Sequence, residues 1–129
     1  MTKPIVILGI FVADTAYRAE RQPKMGETIL GKSFVLGPGG KGSNQAVAAA
    51  RAGGDVIFAG CVGDDVFGGM MKDNLADAGV QTDFVREASG LESGAALIMV
   101  DQLGGNILSV APGANRRQAA GTTPRSRAG

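Results

Sequence analysis

Histidine is absent from the 129 residues, and cysteine occurs once, as Cys61. Without histidine the chain lacks the commonest general base and the commonest metal ligand, and a lone cysteine leaves neither an internal disulfide nor a zinc cluster. Cys61 stands in an apolar stretch, where a thiol reads as a small buried hydrophobe and suits a reducing cytoplasm. Net charge is nearly absent too: 13 basic against 12 acidic residues leave +1, so no general attraction to nucleic acid or membrane is expected. No apolar run approaches the roughly 18 residues a membrane span needs. Met1-Thr2-Lys3-Pro4 leads straight into a short strand-like run, without the layout of a signal peptide. These absences predict a cytoplasmic protein of about one domain's length.

What remains alternates between strand and helix. Pro4-Ile5-Val6-Ile7-Leu8-Gly9 reads as a fully buried strand, short, β-branched and closed by glycine. Thr28-Ile29-Leu30 and Ser33-Phe34-Val35-Leu36 flank Gly31-Lys32, the pattern of a two-residue hairpin. Residues 43–52 read as a helix stopped by Gly53-Gly54, and residues 56–61 as a second buried strand. A second helix is expected over 65–78, with Phe67, Met70, Met71 and Leu75 as its core face and with Asp64 and Asp65 capping it rather than binding a ligand. Residues 95–100 and 106–110 bracket another hairpin turn. Strand, helix, strand, helix implies a parallel sheet with right-handed crossovers, and the hairpins imply a small separate β layer. From Arg116 to Gly129 there are four arginines, no acidic residue and no period of either kind, which predicts a disordered tail.

Glycine is plentiful where histidine is missing: residues 37–42, Gly-Pro-Gly-Gly-Lys-Gly, hold four. Gly37-x-Gly39-x-x-Gly42, with Asp64 further on, fits the letters of a dinucleotide fingerprint. Such a loop should follow the first long buried strand, however, and Gly9 is followed by Ile10-Phe11-Val12-Ala13-Asp14 instead. A phosphate loop fails because Gly42 follows Lys41 where Ser or Thr is required. The side chains allow a third reading. Lys41 offers three donors and Asn44 a donor and an acceptor, a set that fits a polyhydroxyl ligand brought close to bare backbone. The plainer alternative is a flexible lead-in turn with Ser43 or Asn44 as helix cap.

Residues 39–46, Gly-Gly-Lys-Gly-Ser-Asn-Gln-Ala, followed by Gly53 and Gly63, resemble the N-terminal signature of the ribokinase-like (PfkB-type) carbohydrate kinases. The surrounding order agrees: Gly9, Ala13-Asp14, Pro23, Gly26-Glu27-Thr28, then Gly60 to Asp65, Phe67-Gly68, Ser93-Gly94, Ala96 and Gly113-Ala114-Asn115. The resemblance spans residues 4 to 115 and is strongest to the ribokinase group. It implies the N-terminal part of a doubly wound α/β sheet over residues 1–115, with a small β lid from strands at about 11–37 and 93–112, and a family-unlike tail at 116–129.

The same resemblance implies an ATP-dependent kinase that phosphorylates a sugar hydroxyl, D-ribose to ribose 5-phosphate above others. Asp14 would accept two sugar hydroxyls, Gly40 and Lys41 would meet the sugar through the loop, and Asn44 would bind a further hydroxyl. The lid, with Glu27 facing solvent on it, would close over the sugar and would also make a homodimer contact. Val12 departs from the ribokinase group, where asparagine tends to stand, so one sugar hydrogen bond is missing or replaced. ATP, Mg2+ and a monovalent cation (K+) are implied, with sites outside these residues. The Gly-Ala-Gly-Asp segment that supplies the family's base has no counterpart here. Ala52-Gly53-Gly54-Asp55 comes close in letters but falls at a helix-to-strand turn. The chain therefore reads as truncated and inactive alone. A non-catalytic sugar-binding or lid-dimerising module and a dinucleotide-binding oxidoreductase fragment stand as alternatives.

Overall fold

In the computed structural model, residues 3–118 are described. The chain runs β1 (Ile5–Leu8), β2 (Val12–Arg18), β3 (Ser33–Gly39), α1 (Lys41–Arg51), β4 (Val56–Gly63), α2 (Val66–Asp77), β5 (Gln81–Ala88), β6 (Ala95–Val100), β7 (Asn106–Ala111) and a 3-10 turn, Gly113–Arg117. The strands form two sheets: a three-stranded body in the order β1-β4-β5, and a four-stranded lid in the order β3-β2-β6-β7. All body pairings are parallel, whereas the lid combines two antiparallel pairs with a parallel β2–β6 seam. The expected α/β sheet with a separate β layer is therefore present.

The core lies where α1 and α2 cover β4. Val56, Phe58 and Val62 of β4 meet Ala46 of α1 and Met71 and Leu75 of α2, all at most 1% exposed. Full burial of a side chain such as Phe58 or Leu75 stabilises by about 1.5–3 kcal/mol. The helical spacing of Phe67, Met70, Met71 and Leu75 meets its expectation, since Met71 and Leu75 belong to this cluster and Phe67 and Met70, partly buried, pack against it. Cys61 is 2% exposed and free, as its apolar setting suggested.

Three local expectations need correction. Thr28–Leu30 forms no strand, and β3 pairs with the earlier β2 instead. Gly31-Lys32 lies against the end of β2, where the Lys32 N–H donates to Arg18 O at 2.6 Å, so the turn opens a strand rather than joining two. The run at 4–9 is not fully buried. β1 is an edge strand whose Ile7 packs inward, while Val6 and Leu8 are 48% and 55% exposed on a face that α1 and α2 do not cover. Residues 81–88 were not legible as a strand, since Gln81–Ala88 alternates weakly and buries only Val85.

Helix ends follow local chemistry. Gly53, at φ +97°, closes α1 behind the Ala52 cap. Asp65 caps α2 by accepting the Gly68 N–H at 2.9 Å, and the same carboxylate takes the Ser93 N–H at 2.8 Å and hydroxyl at 2.6 Å. Asp64 is no cap. Its carboxylate accepts the Gly90 N–H at 2.8 Å, which ties down the loop after β5. Burial alone would raise the Asp65 carboxyl, but the Ser93 and Gly68 donors hold it below the usual aspartate range. That stability is complete above the unfolded aspartate value and is lost as pH falls through the lowered folded one. Asp65→Ala is expected to destabilise by about 1–2 kcal/mol in chemical denaturation at pH 7, with the difference shrinking in acid.

The order expected to end at residue 115 continues a little further. Arg116 and Arg117 complete the 3-10 turn, and the Gln118 side chain donates to Gly9 O. The remainder of the expected tail, residues 119–129, lies outside the described residues.

Candidate functional site

A cleft of about 850 Å³ opens between body and lid. Its floor is the end of β1 and the residues after it, Leu8 to Ile10, and the N-terminus of α1 closes one side with Gly40, Lys41, Gly42 and Asn44. The lid contributes Val12 and Asp14 from β2, Ala96 from β6, and Leu108 and Val110 from β7. All four residues singled out for a ligand, Asp14, Gly40, Lys41 and Asn44, thus line one space.

Strand register puts Asp14 there. Asp14 stands between Gly37 of β3 and Ala96 of β6, and Ala96 in turn pairs with Val110, so one carboxylate projects from an otherwise apolar row. Burial pushes its carboxyl above the usual aspartate value. No hydrogen bond or ion pair from the described residues reaches it. Lys41 and Asn44 are exposed, likewise without side-chain partners among the described residues.

The glycine loop serves the chain's own packing more than the sequence suggested. A Cβ on Gly39 would overlap the Asp14 carboxylate, and one on Gly40 would overlap Ile10 O. Gly42 and Gly9 pack so closely that a Cβ on Gly42 would lie 2.8 Å from Gly9 Cα. Only Gly37 faces open space. Neither Ser43 nor Asn44 caps α1: the cap is Gly40, and the Ser43 hydroxyl donates back to Gly39 O at 2.7 Å. The first amides of α1, from Lys41 onward, lack intrahelical acceptors and border the cleft.

Other candidates stand elsewhere. Asp55 directly precedes β4, at the opposite end of the body from Gly9, and accepts from Gln81 at 2.9 Å. Glu27 pairs with Arg21 at 2.5 Å in the exposed loop between β2 and β3. The glycine loop follows β3, a lid strand, rather than β1, which is not the placement a dinucleotide fold requires. Among the described residues no three Cys, Asp or Glu side chains gather as a metal-binding group. Sequence reading did not place Leu108, Val110 or Gln118 at the site. Alternation in phase with Asp14 could have found the first two once β6 and β7 were aligned to β2, whereas nothing in the aperiodic tail marks Gln118.

The sequence matches the family described as pfkB family carbohydrate kinase over residues 2–124. The chain belongs to that family. The match runs past Asn115, beyond the span that the motifs themselves covered. Ribokinase from Bacillus subtilis (strain 168) is 45% identical over 111 residues, covering 86% of this chain and 38% of that protein. The solved ribokinase of Arabidopsis thaliana, complexed with ribose and ATP, superposes with a TM-score of 0.82 at 37% identity over 89% of this chain and 38% of that one. The ribokinase of Cryptococcus neoformans var. grubii serotype A, in complex with ADP, gives a TM-score of 0.78 at 34% identity, covering 88% of this chain and 36% of that one. This pfkB-family chain thus spans 36–38% of the length of these relatives. Among the described residues no helix is long and apolar enough to cross a membrane.

Proposed function

We propose that this chain forms the sugar-binding portion of a ribokinase-like kinase, which transfers phosphate from ATP to a sugar hydroxyl, with D-ribose as first candidate. The observation that carries the reading is Asp14, a carboxylate on an apolar lid wall without a partner among the described residues, in one cleft with Lys41 and Asn44. A carboxylate can accept two neighbouring hydroxyls, and Lys41 and Asn44 supply donors for others. Leu108 and Val110 suit the C–H faces of a sugar ring, and a lid above the site keeps water from the reacting hydroxyl. Val12, 6% exposed, offers no hydrogen bond at the position where the ribokinase group tends to have asparagine.

Among the described residues no cluster of Cys, Asp or Glu gathers for Mg2+, and Mg2+, K+ and ATP are assigned to no residue here, so no step runs through them. The base expected at a Gly-Ala-Gly-Asp segment is likewise unassigned within residues 3–118. The outer face of the lid supports a homodimer contact: Phe34, Leu36, Leu97 and Ile107 are 42–54% exposed there, with Tyr17 packed on Phe34 at a ring separation of 5.1 Å.

Hydrogen exchange on the purified chain tests the reading. Millimolar ribose is expected to slow exchange across residues 37–46, while ADP release with MgATP, potassium and ribose stays at background. Protection of that segment by NADH and not by ribose would reverse the ranking with the oxidoreductase alternative.

A further inference from the structure

Ser93-Gly94 and Gly113-Ala114-Asn115 take no part in the sugar reading, yet they meet at one point where the lid joins the body. The chain crosses between the sheets at Phe11 before β2, at Gly40 after β3, at Gly94 before β6 and at Pro112 after β7, and three of these crossings, at Phe11, Gly94 and Pro112, gather at Asn115. The Asn115 side-chain amide donates to Phe11 O and to Pro112 O, each at 2.9 Å. Gly94 completes the junction. A Cβ there would overlap Asn115 Nδ2 and lie 2.9 Å from Phe11 O and 3.0 Å from Pro112 O, while the Gly94 carbonyl accepts the Ala13 N–H at 2.8 Å.

The neighbours of Asn115 press it into place. Gly113, at φ +54°, lies where a Cβ would be 2.5 Å from Glu92 O, and Ala114 is 0% exposed with its N–H donating to Glu92 O at 2.8 Å. Ser93 links the junction onward to the Asp65 cap of α2. The amide orientation follows from its partners, because a flipped side chain would set Oδ1 against two carbonyl oxygens. Oδ1 is consequently buried without a donor among the described residues. An apolar residue would avoid that cost, so the two bonds from Nδ2 are the reason for asparagine here.

We infer that Asn115, packed against Gly94, is a positioning residue for the cleft: it restrains the hinge at which β2, which carries Asp14, and β7, which carries Leu108 and Val110, join the body. The two sheets share no strand ladder, so the crossings, three of which meet at Asn115, set the angle together with the contact of α2 on β3. Only the sugar arm of the test below rests on the proposed function.

Spin labels on Leu103→Cys at the lid tip and Arg51→Cys at the end of α1 report the lid-to-body distance, with Cys61 buried and unlabelled. Asn115→Asp keeps the shape and removes both donors. The distance distribution is expected to widen about twofold and the Ala13 amide to exchange about tenfold faster, with β4 amides still protected. Asn115→Ala, which adds no charge, should give the same widening. An unchanged distribution in both variants overturns the inference. So does loss of protection throughout β4, which would make Asn115 a support of the whole fold rather than of the angle. Widening in the variants while ribose leaves the wild-type chain unaffected supports the positioning role and removes only the sugar reading. Ribose binding to wild type and Asn115→Asp with equal affinity overturns the role while that reading stands.

Discussion

Gly40→Ala is expected to destabilise the chain by about 3 kcal/mol or more, and Gly37→Ala, three residues earlier, by no more than about 0.5. Gly40 sits at φ 98°, ψ 129°, a conformation that L side chains rarely adopt. A forced residue there costs about 1–3 kcal/mol in backbone strain alone. The added Cβ also overlaps Ile10 O, a backbone atom that cannot swing aside, so the lead into β2 or the start of α1 must move. Gly37 has no atom within 4 Å of the same substituent and no positive φ. Against a total stability of about 5–15 kcal/mol for a folded domain, the Gly40 effect is large enough to unfold a marginal chain. Urea denaturation of the two variants side by side gives the comparison. Equal midpoints would mean that the loop is not packed as described.

Asp14→Asn is expected to weaken ribose binding by about ten- to a hundred-fold and, at the same time, to raise the melting temperature. The first effect follows from replacing a charged acceptor of hydroxyl hydrogen bonds, worth about 1.5–3 kcal/mol, by a neutral group that is half donor. The second follows from the raised Asp14 carboxyl, whose shift burial alone causes. With the folded value above the unfolded one, protonation favours the fold. The stability linked to protonation is fully present below the unfolded aspartate value and is lost as pH rises through the raised folded value. At pH 7 the ionised carboxylate is thus a strain on the fold, which a neutral amide relieves. Ribose affinity should accordingly fall on acidification at a higher pH than an exposed aspartate would give. Titration calorimetry and thermal melts at pH 7 measure both effects. Affinity within a factor of about two of wild type would remove Asp14 from the ligand contacts, given the size of a charged hydrogen bond. A lowered melting temperature would point to a partner for the carboxylate.

Much of the body was legible because its signals are local. A helix announces itself by repeats at three and four residues, as Met71 and Leu75 do, and by the glycine that ends it, as Gly53 does. The central strand β4 is flanked on both sides, so its sequence is apolar throughout. Edge strands lack that signature. β5 was missed and the burial of β1 overstated because a strand with one neighbour meets solvent on part of its surface. The lid was misread at Gly31-Lys32 for a related reason: a turn signal shows that the chain bends, not which strand lies beyond the bend.

The sequence by itself determined the residue types of the candidate site, the order β1, α1, β4, α2 in the body, and the motif set of the pfkB family. These depend on neighbours a few positions apart. Tertiary structure alone decided that Asp14 lines one cleft with Lys41 and Asn44 on one side and with Ala96 and Val110 on the other, since the first rests on the antiparallel pairing of β2 with β3 and the second on a parallel β2–β6 seam between strands far apart in the chain. It also decided that Gly39, Gly40 and Gly42 are bare so that Asp14, Ile10 and Gly9 can come close, and that Asn115 gathers Phe11 and Pro112. Contacts of this kind leave no period in the sequence. Their partners are set by the path of the whole chain, and the free energy that selects them appears only when the separate segments pack.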